Sequence, residues 1–200
     1  MLGKRALGNP REPRREPSVG GHLLKIIACE ERLEEALHFL VRVLNDKPQK
    51  LKKGKKPVVM HSLRVAHMLV TMGYGESVVV AGLLHDILEK TNLPQAQITR
   101  HFGVETGLMV AANTNSTRIT DSLERYADSL ERCAKYGEGA LLVRAADLID
   151  NCDRLVALGS HARLERIADK MRLLVKVCRD ELVDERMIDE LAKQIGRAHV

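Results

Sequence analysis

The chain has 200 residues, 44% hydrophobic and 30% charged, which suits one soluble domain with a substantial core. Aromatics make up only 2%, so Leu, Val, Ile, Ala and Met must build that core, a composition that suits packed helices. No apolar run approaches the ~20 residues that span a bilayer, and MLGKRALGNPREPRREP has no apolar stretch of a secretory signal, so no membrane partner and a cytoplasmic location are expected. The net charge of +5 is uneven: residues 1–21 carry +3, KPQKLKKGKK (47–56) carries +6, and the rest carries −4. A mildly acidic body with few aromatics does not point to a nucleic-acid partner. The lysine cluster suits a small phosphorylated ligand equally well, or a solvated loop.

Residues 1–21 hold three prolines and four glycines and read as a disordered basic tail ahead of a single domain, 22–200. From His22 to about Asn45, Leu23, Leu24, Ile27, Leu33, Leu37, Leu40 and Leu44 recur at helical spacing. A lysine-rich loop follows. Pro57 then suits the first turn of a helix running to about Met72. Gly73 and Gly75 end it, and a third helix is expected from Glu76 to Lys90. Two short helices, from Pro94 and over 104–113, precede the polar loop NTNSTRIT. Helices are expected at 121–136 and 139–158. Two amphipathic helices over 161–195 either complete the core or pair between two copies in a homodimer. The class is all-α, with eight or nine helices. Cys29, Cys133, Cys152 and Cys178 are far apart in sequence and read as buried reduced thiols.

Four polar residues sit in apolar helices: His61, the adjacent His85 and Asp86, and Asp147. Asp147 lies among Leu141, Leu142, Val143, Ala145, Ala146, Leu148 and Ile149, a helix apolar nearly all round and therefore buried. An ionised carboxylate there needs a cation or several donors. A structural ion pair would satisfy it. So would a divalent ion, because two imidazoles and two carboxylates form an N/O set suited to Mn²⁺, Fe²⁺ or Zn²⁺. Such an ion makes water ionise near neutral pH. Glu89, three and four residues beyond Asp86 and His85, then projects beside them as a proton carrier. Asn151 and Arg144 flank Asp147 at i+4 and i−3, placed to meet a ligand or to hold the carboxylate. His67 reads as a core histidine.

The order His…His-Asp…Asp resembles the HD superfamily of metal-dependent phosphohydrolases, closest to the hydrolase domain of the RelA/SpoT family and its small stand-alone homologues. LKKGKKPVVMH (51–61) is similar to that branch's basic-Lys-x-x-x-Pro-Tyr-x-x-His segment, and AGLLHDILEKTN (81–92) to its A-G-L-L-H-D-x-x-E-D-T. ITRHFG (98–103) and ALLVRAADLIDNCDRL (140–155) complete a likeness covering roughly 23–160. It implies an all-α HD-domain bundle that binds one Mn²⁺ and hydrolyses the 3′-pyrophosphate of guanosine tetra- or pentaphosphate. The implied metal ligands are His61, His85, Asp86 and Asp147. Glu89 is half of the implied catalytic acid pair, and Lys90 stands where the other acid belongs. Lys52, Lys53 and Asn151 take substrate-contacting positions, with Arg144 beside them. Val58 replaces an aromatic residue and Asp150 a frequent His or Tyr. A lysine accepts no proton at neutral pH unless its pKa is strongly lowered. The rival expectations are therefore a metal- and nucleotide-binding sensor with weakened catalysis, and a metal-free helical protein.

Overall fold

A computed structural model describes residues 19–45, 57–181 and 183–198. The expected tail up to residue 18, the lysine loop and, with it, Lys52 and Lys53 lie outside the described residues. Nine helices appear among the described residues, with no strand. They are α1 (Val19–Asn45), α2 (Val58–Thr71), α3 (Glu76–Leu84), α4 (Ile87–Lys90), α5 (Gln95–Asn113), α6 (Ser122–Tyr136), α7 (Glu138–Ala157), α8 (His161–Asp180) and α9 (Glu185–Arg197). No described helix is long and apolar enough to cross a membrane.

Hydropathy decides which helices are central. In α3, Val79 to Leu84 are buried without interruption, and α7 buries Ala140 to Ala146. Helices apolar on every side must be surrounded. Accordingly α7 packs on α2, α3, α5, α6, α8 and α9, while α3 packs on α1, α2, α5 and α7. The polar residues of the sequence therefore sit near the middle of the bundle. α6 is more amphipathic and starts at an Asp121 cap, whose Oδ1 accepts from the Leu123 and Glu124 amides at 2.8 and 2.9 Å.

The last two helices complete the core. Leu164, Ala168, Met171 and Leu174 of α8 and Met187 and Leu191 of α9 are buried within this one chain. All four cysteines are buried free thiols, as expected. Burial pushes the Cys178 thiol up to about 12, which keeps it protonated and unreactive. The two short helices around Gly103 join as α5, with a kink at that residue's φ of 89°, a conformation natural to glycine.

Two expectations need correction. The helix expected over 76–90 breaks at His85-Asp86: α3 stops at Leu84 and a single turn, α4, resumes at Ile87. Asp86, at φ −90° and ψ −9°, leaves regular helix geometry, and Glu89 N reaches the Asp86 carbonyl at 3.2 Å in a tight turn. His67 is exposed, not a core residue. The buried stripe of α2 runs through His61, Ser62, Val65, Ala66 and Leu69, and position 67 falls off that face.

Candidate metal centre and the cavity beside it

Close helix packing places the two histidines against each other. Gly82 has no side chain, and a Cβ there would collide with the Leu69 side chain of α2. α3 can therefore lie flush on α2, which brings His85 beside His61. Their Nε2 atoms are 3.1 Å apart and their rings meet nearly edge to face. From α7, Asp147 Oδ1 lies 3.1 Å from His61 Nε2 and 3.5 Å from His85 Nε2. Asp86 Oδ1 lies 3.6 Å from His85 Nε2. His61, His85 and Asp86 bring ligand atoms within 4.8 Å of one another. Three separate segments thus converge on one point, as the sequence order suggests.

The hydrogen bonds explain why this point calls for a cation. His85 Nδ1 lies 2.7 Å from the Gly82 carbonyl, which can only accept, so Nδ1 carries the proton. His61 Nδ1 faces Asp150 Oδ2 at 2.6 Å and donates to it. In the neutral rings both Nε2 atoms are then bare lone pairs, and they face each other and a carboxylate oxygen. Acceptors crowded this way repel unless something positive lies among them. Ligand atoms ~2.1 Å from one ion are ~3.0 Å apart at right angles and ~3.4 Å at the tetrahedral angle. The two 3.1 Å contacts fit that range, and the 3.5 and 3.6 Å contacts lie just outside it. The donor set of His61, His85 and Asp86 therefore fits a divalent cation, and Asp147 lies close to both imidazoles as a candidate fourth ligand. The same field acts on His85: burial opposes its charge, but the Asp86 and Asp147 carboxylates and the Gly82 carbonyl outweigh burial and raise its pKa above the ordinary imidazole range.

Asp150 is a partner that the sequence reading noted only as a departure. It is buried, and it also accepts from Arg64, with Nη2 at 3.0 Å from Oδ2. Burial opposes its charge, yet the bonds from His61 and Arg64 hold its carboxyl below the usual range. A carboxylate behind a metal-ligating imidazole fixes the ring and makes it a better donor. The i+3 spacing of Asp147 and Asp150 and of His61 and Arg64 could have revealed this pair of pairs, since i and i+3 share a helix face.

Beside these four residues lies a polar cavity of about 250 Å³, room for roughly eight waters at ~30 Å³ each. Asp86, Glu89, Lys90, Arg144, Asp147 and Asn151 line it together with Asn115, Ser122, Arg125, Tyr126 and Lys170. Glu89 is held by Asn115, whose backbone N and side-chain Nδ2 both donate to Oε1 at 2.6 Å. Lys90 Nζ lies 3.9 Å from Asp86 Oδ2 and 3.9 Å from Glu89 Oε2, so the lysine faces the carboxylates. Asn151 Nδ2 donates to Asp147 Oδ1 at 2.6 Å. Arg144 is buried, donates to the Asn113 carbonyl and to Ser129 Oγ (2.9 Å), and sets Nη1 3.7 Å from Asp147 Oδ2. Asn115 and Lys170 carried no signal in the sequence, because a loop asparagine and a lysine on an amphipathic helix are commonplace.

A family model described as HD domain matches residues 36–174. The chain belongs to the HD domain family. A probable guanosine-3′,5′-bis(diphosphate) 3′-pyrophosphohydrolase of Synechocystis is 30% identical over 125 residues, 60% of this chain and 16% of that protein. The guanosine-3′,5′-bis(diphosphate) 3′-pyrophosphohydrolase of Aquifex aeolicus is 27% identical over 128 residues, 62% of this chain and 18% of that protein. This HD chain thus spans about a sixth of the length of those relatives. The solved structure of a metazoan orthologue of SpoT that hydrolyses ppGpp superposes with a TM-score of 0.67 at 22% identity, over 82% of this chain and 94% of that one. At that identity the likeness establishes the fold. A Listeria monocytogenes structure, lmo0812, matches with a TM-score of 0.53 at 28% identity, over 68% of this chain and 96% of that one.

Proposed function

We propose that this HD domain is a metal-dependent phosphohydrolase acting on a nucleotide phosphate ester, with the 3′-pyrophosphate of guanosine tetra- or pentaphosphate as its first candidate substrate. The observation that carries the reading is the convergence of His61, His85, Asp86 and Asp147 beside a cavity that also holds Glu89. The named activity of the Synechocystis and Aquifex relatives supports the choice of substrate. Mn²⁺ is the proposed ion, matched to two imidazoles and two carboxylates.

When bound, the ion supplies Lewis acidity to a phosphoryl group and makes water ionise near neutral pH. The side chains of the chain do the rest. Asn115 fixes one oxygen of Glu89, so the carboxylate faces the cavity in one orientation and takes the proton of the attacking water. Lys90 offsets the negative charge of Asp86 and Glu89 and meets a phosphate entering between them. Arg144 holds Asp147 and adds positive charge at the cavity floor, and Asn151 places the ligand beside the ion. Lys52 and Lys53 are proposed to add phosphate contacts. The proposal extends to a cytoplasmic protein with a single domain that begins at α1, three residues before the boundary expected at residue 22. It takes a small-molecule substrate rather than nucleic acid.

The test is turnover by Mn²⁺-loaded protein on a panel of nucleotides that includes guanosine 3′,5′-bis(diphosphate). Release of pyrophosphate is the expected outcome, and no hydrolysis of any phosphate ester with any divalent metal would overturn the reading. The placement of Lys90 favours one second reading, a sensor that binds metal and nucleotide with weakened catalysis. Lys90→Asp separates the two: if it creates activity where the parent has none, at similar nucleotide affinity, the sensor reading holds.

A further inference from the structure

The C-terminus of α5 is held more firmly than helix ends usually are. The last carbonyls of a helix have no partners within it, and the final turn commonly frays. Here side chains of α6 and α7 take up those carbonyls. Arg132 of α6 donates from Nη1 to the Ala111 and Ala112 carbonyls at 2.9 and 3.2 Å, and from Nη2 to the Thr114 carbonyl at 2.7 Å. Asp128, one turn back on α6, accepts from Nε and Nη2 of the same guanidinium at 3.2 and 2.8 Å, which fixes its plane. Arg144 of α7 donates to the Asn113 carbonyl. Two guanidinium groups thus pin the successive carbonyls of residues 111–114.

The next residue is Asn115, whose backbone N and Nδ2 both meet Glu89 Oε1 at 2.6 Å. Glu89 gains little steadiness from its own element. α4 is a turn of four residues, far below the length at which a helix holds itself, so it takes its direction from what it touches. The Thr114 carbonyl and the Asn115 N–H belong to one planar trans peptide and point opposite ways. Arg132 grips the oxygen of that peptide and Glu89 receives its N–H. Resting on the phosphohydrolase reading above, we propose that Arg132, which is not among the residues lining the cavity, is a positioning residue for Glu89: it fixes the Thr114–Asn115 peptide, and that peptide aims the carboxylate. Arg144 shares the grip on the helix end but also faces Asp147, so Arg132 is the residue that isolates this role.

The experiment is a double-mutant cycle on Mn²⁺-loaded full-length protein with guanosine 3′,5′-bis(diphosphate). Arg132→Met keeps an apolar stem and removes the donors. It is expected to lower kcat about tenfold, part of the roughly 10²–10⁴-fold that a placed proton carrier contributes, with KM and the Mn²⁺ dissociation constant within about twofold. In a Glu89→Gln background the same change should lower kcat by less than about twofold, because the group it aims is already gone. A helix end that matters only for folding would slow both backgrounds alike. No loss of kcat in Arg132→Met, an equal loss in both backgrounds, or a rise in KM that matches the fall in kcat overturns the assignment. If the parent hydrolyses no nucleotide, the proposed reaction fails, and hydrogen exchange decides the positioning separately. Arg132→Met and Glu89→Ala should each speed exchange of the Asn115 backbone amide about tenfold and leave the buried amides of α7 within about twofold. Unchanged exchange at Asn115 in either variant, or an equal increase throughout α7, overturns it.

Discussion

The two ends of the cavity are built on opposite principles. At the metal end each group is held by another: His61 by Asp150, Asp150 by Arg64, His85 by the Gly82 carbonyl, Glu89 by Asn115, and Asp147 by Asn151. At the α6–α8 end, Lys170 and Arg125 rest on a hydroxyl, a ring and a carbonyl. The difference teaches where precision is needed. A ligand shell tolerates errors of a few tenths of an ångström, so its rotamers must be locked before the ion arrives. A charge that acts on its surroundings without coordinating an ion works over a longer range and needs no such lock.

The largest effect should come from removing a ligand. His85→Ala is expected to abolish stoichiometric metal binding and to lower turnover by about three orders of magnitude or more. Metal content by plasma mass spectrometry checks this, and a full equivalent retained by the variant would show that the ion is held elsewhere. Glu89→Gln should lower kcat by about 10²–10⁴-fold, the range for a lost proton carrier, with metal affinity within about twofold. A matching loss of metal would make Glu89 part of the ligand set instead.

Asp150→Asn tests the support behind the ligands. The Mn²⁺ dissociation constant should rise about 10–100-fold in calorimetry. Arg64→Gln acts one bond further out, through an arginine side chain that is 46% exposed, and should weaken binding by less, about threefold. Equal losses in the two variants would mean that Arg64, not Asp150, positions the ring. The smallest change tests the helix approach. Gly82→Ala puts a methyl group onto Leu69, and urea unfolding should show about 1–3 kcal/mol of destabilisation, the usual cost of overpacking. An unchanged midpoint would mean that Leu69 can turn aside freely.

Much of this is written in local pattern. Helix positions follow from apolar spacing and from Pro57, Gly73, Gly103 and Gly137, because periodicity and chain breakers act within a few residues. The break at His85-Asp86 was not legible, because an unbroken apolar run gives no sign of a turn stabilised by a side chain bonding back to the Gly82 carbonyl. His67 and His61 both look buried in sequence, and only the packed face of α2 separates them. Of the candidate site, His61, His85, Asp86, Asp147 and Glu89 could be singled out in advance as residues to find together, because ionisable groups in apolar helices demand an explanation. Asn115 and Lys170 could not, because each is ordinary in its own segment.

The sequence by itself determined that the chain is helical, that α3 and α7 lie at its centre, and that charged groups there require a cation or dedicated partners. The tertiary structure alone decided which groups meet. It set the His61 and His85 lone pairs 3.1 Å apart with Asp147 beside them, put Asp150 and Arg64 behind His61, and turned Lys90 toward Asp86 and Glu89. It also brought Lys170 into the cavity from a helix distant in sequence. The physical reason is range. Hydropathy and turn chemistry act between near neighbours along the chain. Coordination, ion pairing and desolvation act through space, between residues that only the packing of one helix on another brings together.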